Sequence, residues 1–397
     1  MDGIAERYDV PAHHFWLRGP RPDRPVAHDP AAGTWNVYGH AEAAEVLGDP
    51  ETFSSHTLRL MPSPEEEEFS AAGFLTQLDP PEHGRLRRLV SSAFTRKVVA
   101  ALEPRIAALT GELLDAARER GRLELVADLA YPLPVTVIAE LLGVPAADRG
   151  LFRRWADALL WQDTEISLHK SAERRRAELR DTLGPWRELT AYLAAHAAER
   201  RRRPRDDLLT RLVEAEVDGE RLPDPQVVGF AALLLLAGHV TTTMLLGNTV
   251  LCLAAFPDRQ AKVRADRSLV PGAIEESLRL LTPFAVLGRA TTRPAVVGGT
   301  PIPADALVLV WLAAANRDPR RFPDPDTFDP SRTPNPHLAF GHGVHFCLGA
   351  PLARLEGRIA LNILLDRVDP LRTDPADPVA FLPVRTMTGV RRLALPT

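Results

Sequence analysis

The sequence predicts a mainly α protein with small β-sheets, folded as a single domain over residues 1–397. Three observations predict it. From about Pro81 to Phe256 apolar residues recur at threes and fours, the period of a helix, as in Ile106-Ala107-Ala108-Leu109 with Leu113-Leu114. Short alternating segments on either side of that body, Thr34-Trp35-Asn36-Val37-Tyr38 and Ala306-Leu307-Val308-Leu309-Val310-Trp311, read as strands. No internal repeat and no linker splits the chain into independent units.

Taken in order, the first seventy residues are rich in Pro and Gly and carry the early strand. Residues Leu151 to Arg203 read as long, charged, surface-facing helices, and the run Arg200-Arg201-Arg202-Arg203 reads as a solvated helix end. The acidic run Glu65-Glu66-Glu67-Glu68 reads as a solvated loop. From Gln226 to Phe256 no Asp, Glu, Lys or Arg occurs, a span long enough to cross a bilayer. His239, Thr241, Thr242, Thr243, Asn248 and Thr249 interrupt it and no basic cluster flanks it tightly, so a long buried helix is expected instead of a membrane span. A short helix follows Pro271, then strands, then an irregular Pro- and Asp-rich stretch from Asn316 to Pro336. A final helix begins near Ala350.

The net charge of -4 argues against a nucleic-acid binder, which needs a basic surplus to neutralise phosphates. Two cysteines, Cys252 and Cys347, build neither a disulfide framework nor a multi-cysteine zinc site. The N-terminus, Met1 to Arg7, has no apolar signal region. Both features lead us to expect a cytoplasmic protein.

The chemistry is concentrated in Phe340-Gly341-His342-Gly343-Val344-His345-Phe346-Cys347-Leu348-Gly349, which sets one cysteine just before an expected helix. Unpaired N–H groups and partial positive charge at a helix start favour thiolate over thiol. The glycines admit positive φ and close backbone approach. Cys252, inside Val250-Leu251-Cys252-Leu253, reads as plain core. The ten-residue frame resembles the cysteine-ligand loop of the cytochrome P-450 family, Phe-Gly-x-Gly-x-His-x-Cys-x-Gly, with every fixed position filled. The resemblance implies the cytochrome P-450 fold, a long central helix over haem, with haem b (iron protoporphyrin IX) held through Cys347 as the metal ligand.

Four further stretches resemble the family in the same order. Glu276-Ser277-Leu278-Arg279 is similar to its Glu-x-x-Arg signature, which Arg332 of the irregular stretch would join in a buried structural network. Asp79-Pro80-Pro81-Glu82-His83-Gly84-Arg85-Leu86-Arg87 opens a helix on which His83 and Arg87 share a face. The resemblance assigns His83, Arg87, Arg289 and His345 to the haem propionates, and Phe340, Gly341 and Gly349 to the haem-binding loop; Arg85 and Arg88 are expected in solvent. Ala237-Gly238-His239-Val240-Thr241-Thr242 is similar to the oxygen-activation motif of the central helix. Ala237 and Gly238 would leave room for dioxygen there, and the Thr241 hydroxyl would help to deliver protons. The family usually carries Asp or Glu before that threonine; here Val240 stands in its place, so the protons would come by ordered water or by the substrate.

Membership would make this a monooxygenase that inserts one atom of O2 into a bulky lipophilic small molecule. By analogy the pocket draws on Leu60, Met61, Phe74, Val240, Phe284, Val286 and Met387, an apolar set. No flavin or iron-sulfur motif is present in the chain, so electrons are expected from a ferredoxin and its NAD(P)H-dependent reductase. High Ala, Arg and Pro content resembles actinobacterial proteins that tailor macrolides, other polyketides or peptides. Two alternatives stay open: an enzyme of the same family that couples substrates without inserting oxygen, which Val240 favours, and a non-catalytic haem sensor or carrier, against which the Ala237-Gly238-Thr241 set argues.

Overall fold

The computed structural model describes residues 3–18, 21–60, 74–91, 94–160, 165–217 and 219–396. Both the acidic run 65–68 and Met61 lie outside them.

A 32-residue helix, Asp224–Ala255, runs through the middle of the body. Its apolar residues point in every direction instead of forming one stripe, the pattern of a helix covered all round. By length and composition it is able to cross a membrane, but 72% of its most apolar window is buried inside this fold. Its neighbours are the helices Pro132–Leu142, Ala172–Arg202, Val270–Leu280 and Ala350–Arg367. Contact is close where glycine removes a side chain. A Cβ on Gly238 would lie 2.9 Å from Ile138, and one on Gly357 would lie 3.3 Å from Ile274 and 3.6 Å from Leu245.

The main sheet has five strands in the order Val26–Asp29, Thr34–Val37, Leu307–Val310, Leu287–Thr291, Phe53–Ser54. Its one parallel pair joins Thr34–Val37 to Leu307–Val310, with Val37 opposite Val310. Both strands expected from alternation are therefore neighbours in one sheet, and each falls within a residue or two of its expected bounds. The stretch from Asn316 to Pro336 is irregular, as expected, and the final helix spans Ala350–Arg367.

Irregular backbone in that stretch is held by charge. Arg279 and Glu276 are fully buried and bonded at 2.8 Å through two of the guanidinium nitrogens, Nε and Nη2. Arg279 also donates to the carbonyls of Asn316 (3.0 Å), Pro325 (2.7 Å) and Thr327 (3.0 Å). Glu276 accepts from Arg332 Nε (3.0 and 3.1 Å), the Asp329 amide (3.1 Å) and Asn335 (3.1 Å). One helix pair thus satisfies polar groups that no ladder reaches.

Arg200 departs from expectation. It is 1% exposed, bonds Asp207 at 2.6 Å and donates to the Gly143 carbonyl. Gly143 ends the Pro132–Leu142 helix at φ 83, leaving terminal carbonyls that need a donor, and Arg200 supplies it. Only Arg200 departs from the expected solvated helix end; Arg201, Arg202 and Arg203 are exposed. A sequence pattern of four like charges does not show that one of them turns inward.

Replacing Glu276 with Leu would strand the Arg279 guanidinium without its counter-charge. Urea unfolding should show a loss of about 3–5 kcal/mol, or no folded protein; a change below about 1 kcal/mol would contradict a bracing role.

Candidate functional site

The cysteine loop leaves the irregular stretch and enters the Ala350–Arg367 helix. Gly341 (φ 73) and Gly343 (φ 69) adopt the left-handed conformation that their positions require. A Cβ on Gly343 would lie 2.5 Å from the Leu47 carbonyl oxygen, so the loop also needs glycine to pack there. Gly349 has an ordinary φ of -81, and a Cβ there would meet Cys347 Sγ at 4.0 Å, an ordinary van der Waals contact, so neither conformation nor space demands glycine. The Cys347 amide donates to the Phe340 carbonyl at 2.8 Å, closing the loop.

Burial pushes the Cys347 thiol up, while backbone N–H groups of Gly349 and Ala350 and the charges of Arg87 and Arg354 pull it down. Burial wins. The Gly349 and Ala350 amides act in the direction expected of a helix start, and a bound metal cation would add the positive charge that offsets burial.

Around the loop lies a cationic cluster. His83 is 2% exposed, its Nε2 has no partner among the described residues, and its ring lies 4.2 Å from that of His345. His345 Nε2 meets Ser55 Oγ at 2.8 Å. Burial, with His83, Arg289 and Arg87 nearby, depresses the His345 imidazole to about 3. Arg289 is buried and pushed down to about 10 by desolvation; it donates to the carbonyl of its neighbour Gly288 at 2.7 Å. Arg87 donates to the carbonyls of Val344 (3.0 Å) and Phe346 (2.5 Å), bracing the cysteine loop directly. Arg85 and Arg88 are exposed.

On the central helix, Leu233, Ala237 and Thr241 recur at i, i+4 and i+8, and all three are accessible although most of their helical neighbours are buried. This stripe is a part of the helix that neighbouring side chains leave uncovered. Thr241 donates its hydroxyl to the Ala237 carbonyl at 2.9 Å. Gly238 faces Ile138, so its smallness serves helix packing, not room for dioxygen. His239 points elsewhere too: it is fully buried with its ring 5.8 Å from Tyr131 and is depressed to about 4 by desolvation. Val240 is 3% exposed and packed in the core.

The expected pocket residues divide. Leu60, Phe74 and Phe284 are half-buried, whereas Val286 and Met387 are buried. Phe284 and Met387 pair backbone to backbone, Leu60 packs with Val286, and Phe74 lies 5.0 Å from Trp186.

Comparison with known proteins decides the family. The family model "Cytochrome P450" matches residues 160–379. Cyclomarin C epoxidase CymV of Salinispora arenicola is 45% identical over 382 residues, 96% of this chain and 95% of that one. The chain belongs to the cytochrome P450 family. Erythromycin C-12 hydroxylase of Saccharopolyspora erythraea is 46% identical over 95% of this P450 and 92% of its own length. Among solved structures, the post-tailoring hydroxylase HmtN of himastatin biosynthesis superposes with a TM-score of 0.87 at 54% identity, covering 100% of both chains. This P450 is a monooxygenase of the bacterial tailoring type.

The residues present fit a haem-thiolate group. A half-buried cysteine, an accessible stripe of the central helix, an unpartnered buried histidine nitrogen and a buried arginine complement its metal, its face and its anionic propionates.

Sequence reasoning missed Glu356 on the helix after the loop. It is 1% exposed, its Oε2 has no partner among the described residues, and burial raises its carboxyl to about 8. A helical glutamate gives no signal of burial unless its face is known. Between the unfolded value, about 4.5, and about 8 the unfolded chain ionises at this position while the native one does not. Native stability therefore falls as pH rises through that window. Glu356→Gln should be the more stable protein, by an advantage that grows from about pH 4.5 to about pH 8, then levels at on the order of a few kcal/mol. Denaturant unfolding at several pH values checks this; a constant difference would contradict it.

Proposed function

We propose that this P450 hydroxylates or epoxidises a bulky lipophilic product of secondary metabolism, a macrolide, other polyketide or peptide. The observation that carries the substrate class is the apolar character of Leu60, Phe74, Phe284, Val286 and Met387, with no charged side chain among them. The names of similar proteins support it, since they act on or belong to the biosynthesis of erythromycin, cyclomarin and himastatin.

Haem b, bound through Cys347, supplies the oxidising chemistry. The chain's own groups do the rest. Arg289, His83, His345 and Arg87 would bind the propionates, and Arg87 also fixes the loop. Ala237 keeps a part of the central helix uncovered, and Thr241 holds a hydroxyl one turn on that would accept and pass on a proton. Val240 contributes no proton, which leaves ordered water or a substrate hydroxyl to supply it. The apolar wall orients the substrate and excludes bulk water. Electrons come from a separate ferredoxin and its NAD(P)H-dependent reductase, in the cytoplasm.

Oxidative coupling is the second reading, and the buried Val240, standing where the family usually carries an acid, is the observation that favours it. A screen of lipophilic macrolides and cyclic peptides for a change of iron spin state should yield micromolar binders. Product from labelled dioxygen should then gain one labelled oxygen atom, and Thr241→Ala should raise the peroxide released per NAD(P)H several-fold. Unlabelled, dimeric or cross-linked product would instead establish coupling, and binding restricted to small polar compounds would overturn the substrate class.

A further inference from the structure

Beside the cysteine loop lies a second charged assembly, separate from the Glu276 network although it begins at the adjacent residue. Glu275 receives two bonds from Arg354, Nε to Oε1 and a terminal nitrogen to Oε2, both 2.7 Å long. His337 adds a third at 3.0 Å from Nε2. The His337 Nδ1 accepts the Ala339 amide at 3.2 Å, which fixes the proton on Nε2 and aims it at Glu275. Held in this way, the Arg354 guanidinium lies 4.4 Å over the ring of Phe340. Phe340 is the residue whose carbonyl takes the Cys347 amide.

Three segments meet here: the Val270–Leu280 helix, the start of the cysteine loop and the Ala350–Arg367 helix. The bidentate bond and the stack fix Arg354 from two sides, so its charge has a defined place instead of an average over rotamers. That place adjoins the ligand, since Phe340, on which Arg354 stacks, takes the Cys347 amide on its carbonyl at 2.8 Å. Glu275 is held at about 2: burial pushes it up, and the bonds from Arg354 and His337 outweigh burial. The pair is therefore an oriented dipole whose positive end faces Phe340 and the loop.

We propose that Glu275, His337 and Arg354 are positioning residues that set the electrostatic potential at the Cys347 sulfur and thereby the reduction potential of the haem it binds. The inference rests on the haem-thiolate reading. Reduction adds one negative charge at the metal, so a nearby fixed cation favours the reduced form and a nearby anion disfavours it. Taking the charge from Arg354 leaves Glu275 facing the loop and lowers the potential. Taking it from Glu275 leaves Arg354 unopposed and raises the potential. Arg354 is 40% and Glu275 27% exposed, so solvent and salt weaken both effects without cancelling them.

The test is potentiometric titration of the haem in the full-length protein and in Arg354→Gln, Glu275→Gln and Arg354→Lys, at low and high salt. Arg354→Gln should shift the reduction equilibrium about tenfold toward the oxidised form, about 59 mV for one electron. Glu275→Gln should shift it the opposite way, Arg354→Lys should retain most of the native potential, and all shifts should shrink in high salt. A purely structural role predicts otherwise. Shifts of the same sign in both Gln variants, or a Lys variant that matches Arg354→Gln, would overturn the proposal. Should Arg354→Gln fail to fold, the rise in Glu275→Gln and the retention in Arg354→Lys decide it alone. A wild-type protein lacking a cysteine-ligated haem spectrum would instead sink the haem reading, so the two failures are distinct.

Discussion

A sulfur atom that its surroundings would keep protonated is the constraint on which this site depends. Two backbone N–H groups and two arginines pull the Cys347 thiol down, yet desolvation exceeds their sum. In the protein alone the sulfur's surroundings are short of positive charge, which a bound metal would supply. The same imbalance, with opposite sign, recurs in the cluster of His83, His345 and Arg289, where burial depresses cationic groups that have few anionic partners. Negative and positive halves of the site are each incomplete alone. One group carrying a cation at its centre and carboxylates at its edge satisfies both.

Such a site demands rigid backbone where no regular structure is available. The cysteine loop and the stretch before it are irregular, and their carbonyls and amides are satisfied by side chains from neighbouring helices. Arg279 and Glu276 hold the stretch from Asn316 to Asn335, Glu275 and Arg354 hold the approach to the loop, and Arg87 holds its tip. These anchors are charged because a guanidinium offers five donors in a plane and so reaches several carbonyls at once. Behind them, close contact at Gly238 and Gly357 fixes the central helix against its neighbours, and that helix leaves Ala237 and Thr241 uncovered.

Much of this was legible in the sequence, because the informative residues are the ones tied to chemistry at fixed spacing. The Phe340–Gly349 frame, Glu276 with Arg279, His83 with Arg87, and the uncharged central helix all carry their signals locally. Residues that act across long separations did not. Nothing beside Arg200 says that it turns inward to cap the Pro132–Leu142 helix, since its partners are the distant Gly143 and the later Asp207. Glu275 and Arg354 are 79 residues apart and look like ordinary surface charges, as does the buried Glu356. Gly238 was read as room for oxygen because its motif contains it, whereas the direction of its missing side chain, toward Ile138, depends on the packing of two helices.

The most direct test of the Cys347 ligand is the absorption spectrum of the reduced protein under carbon monoxide, with and without Cys347→His. The structure predicts that the native protein binds haem and shows a Soret band shifted far to the red, the mark of a thiolate, and that the histidine variant loses that shift. A colourless native protein, or a Soret band unchanged by the substitution, would contradict coordination by this sulfur.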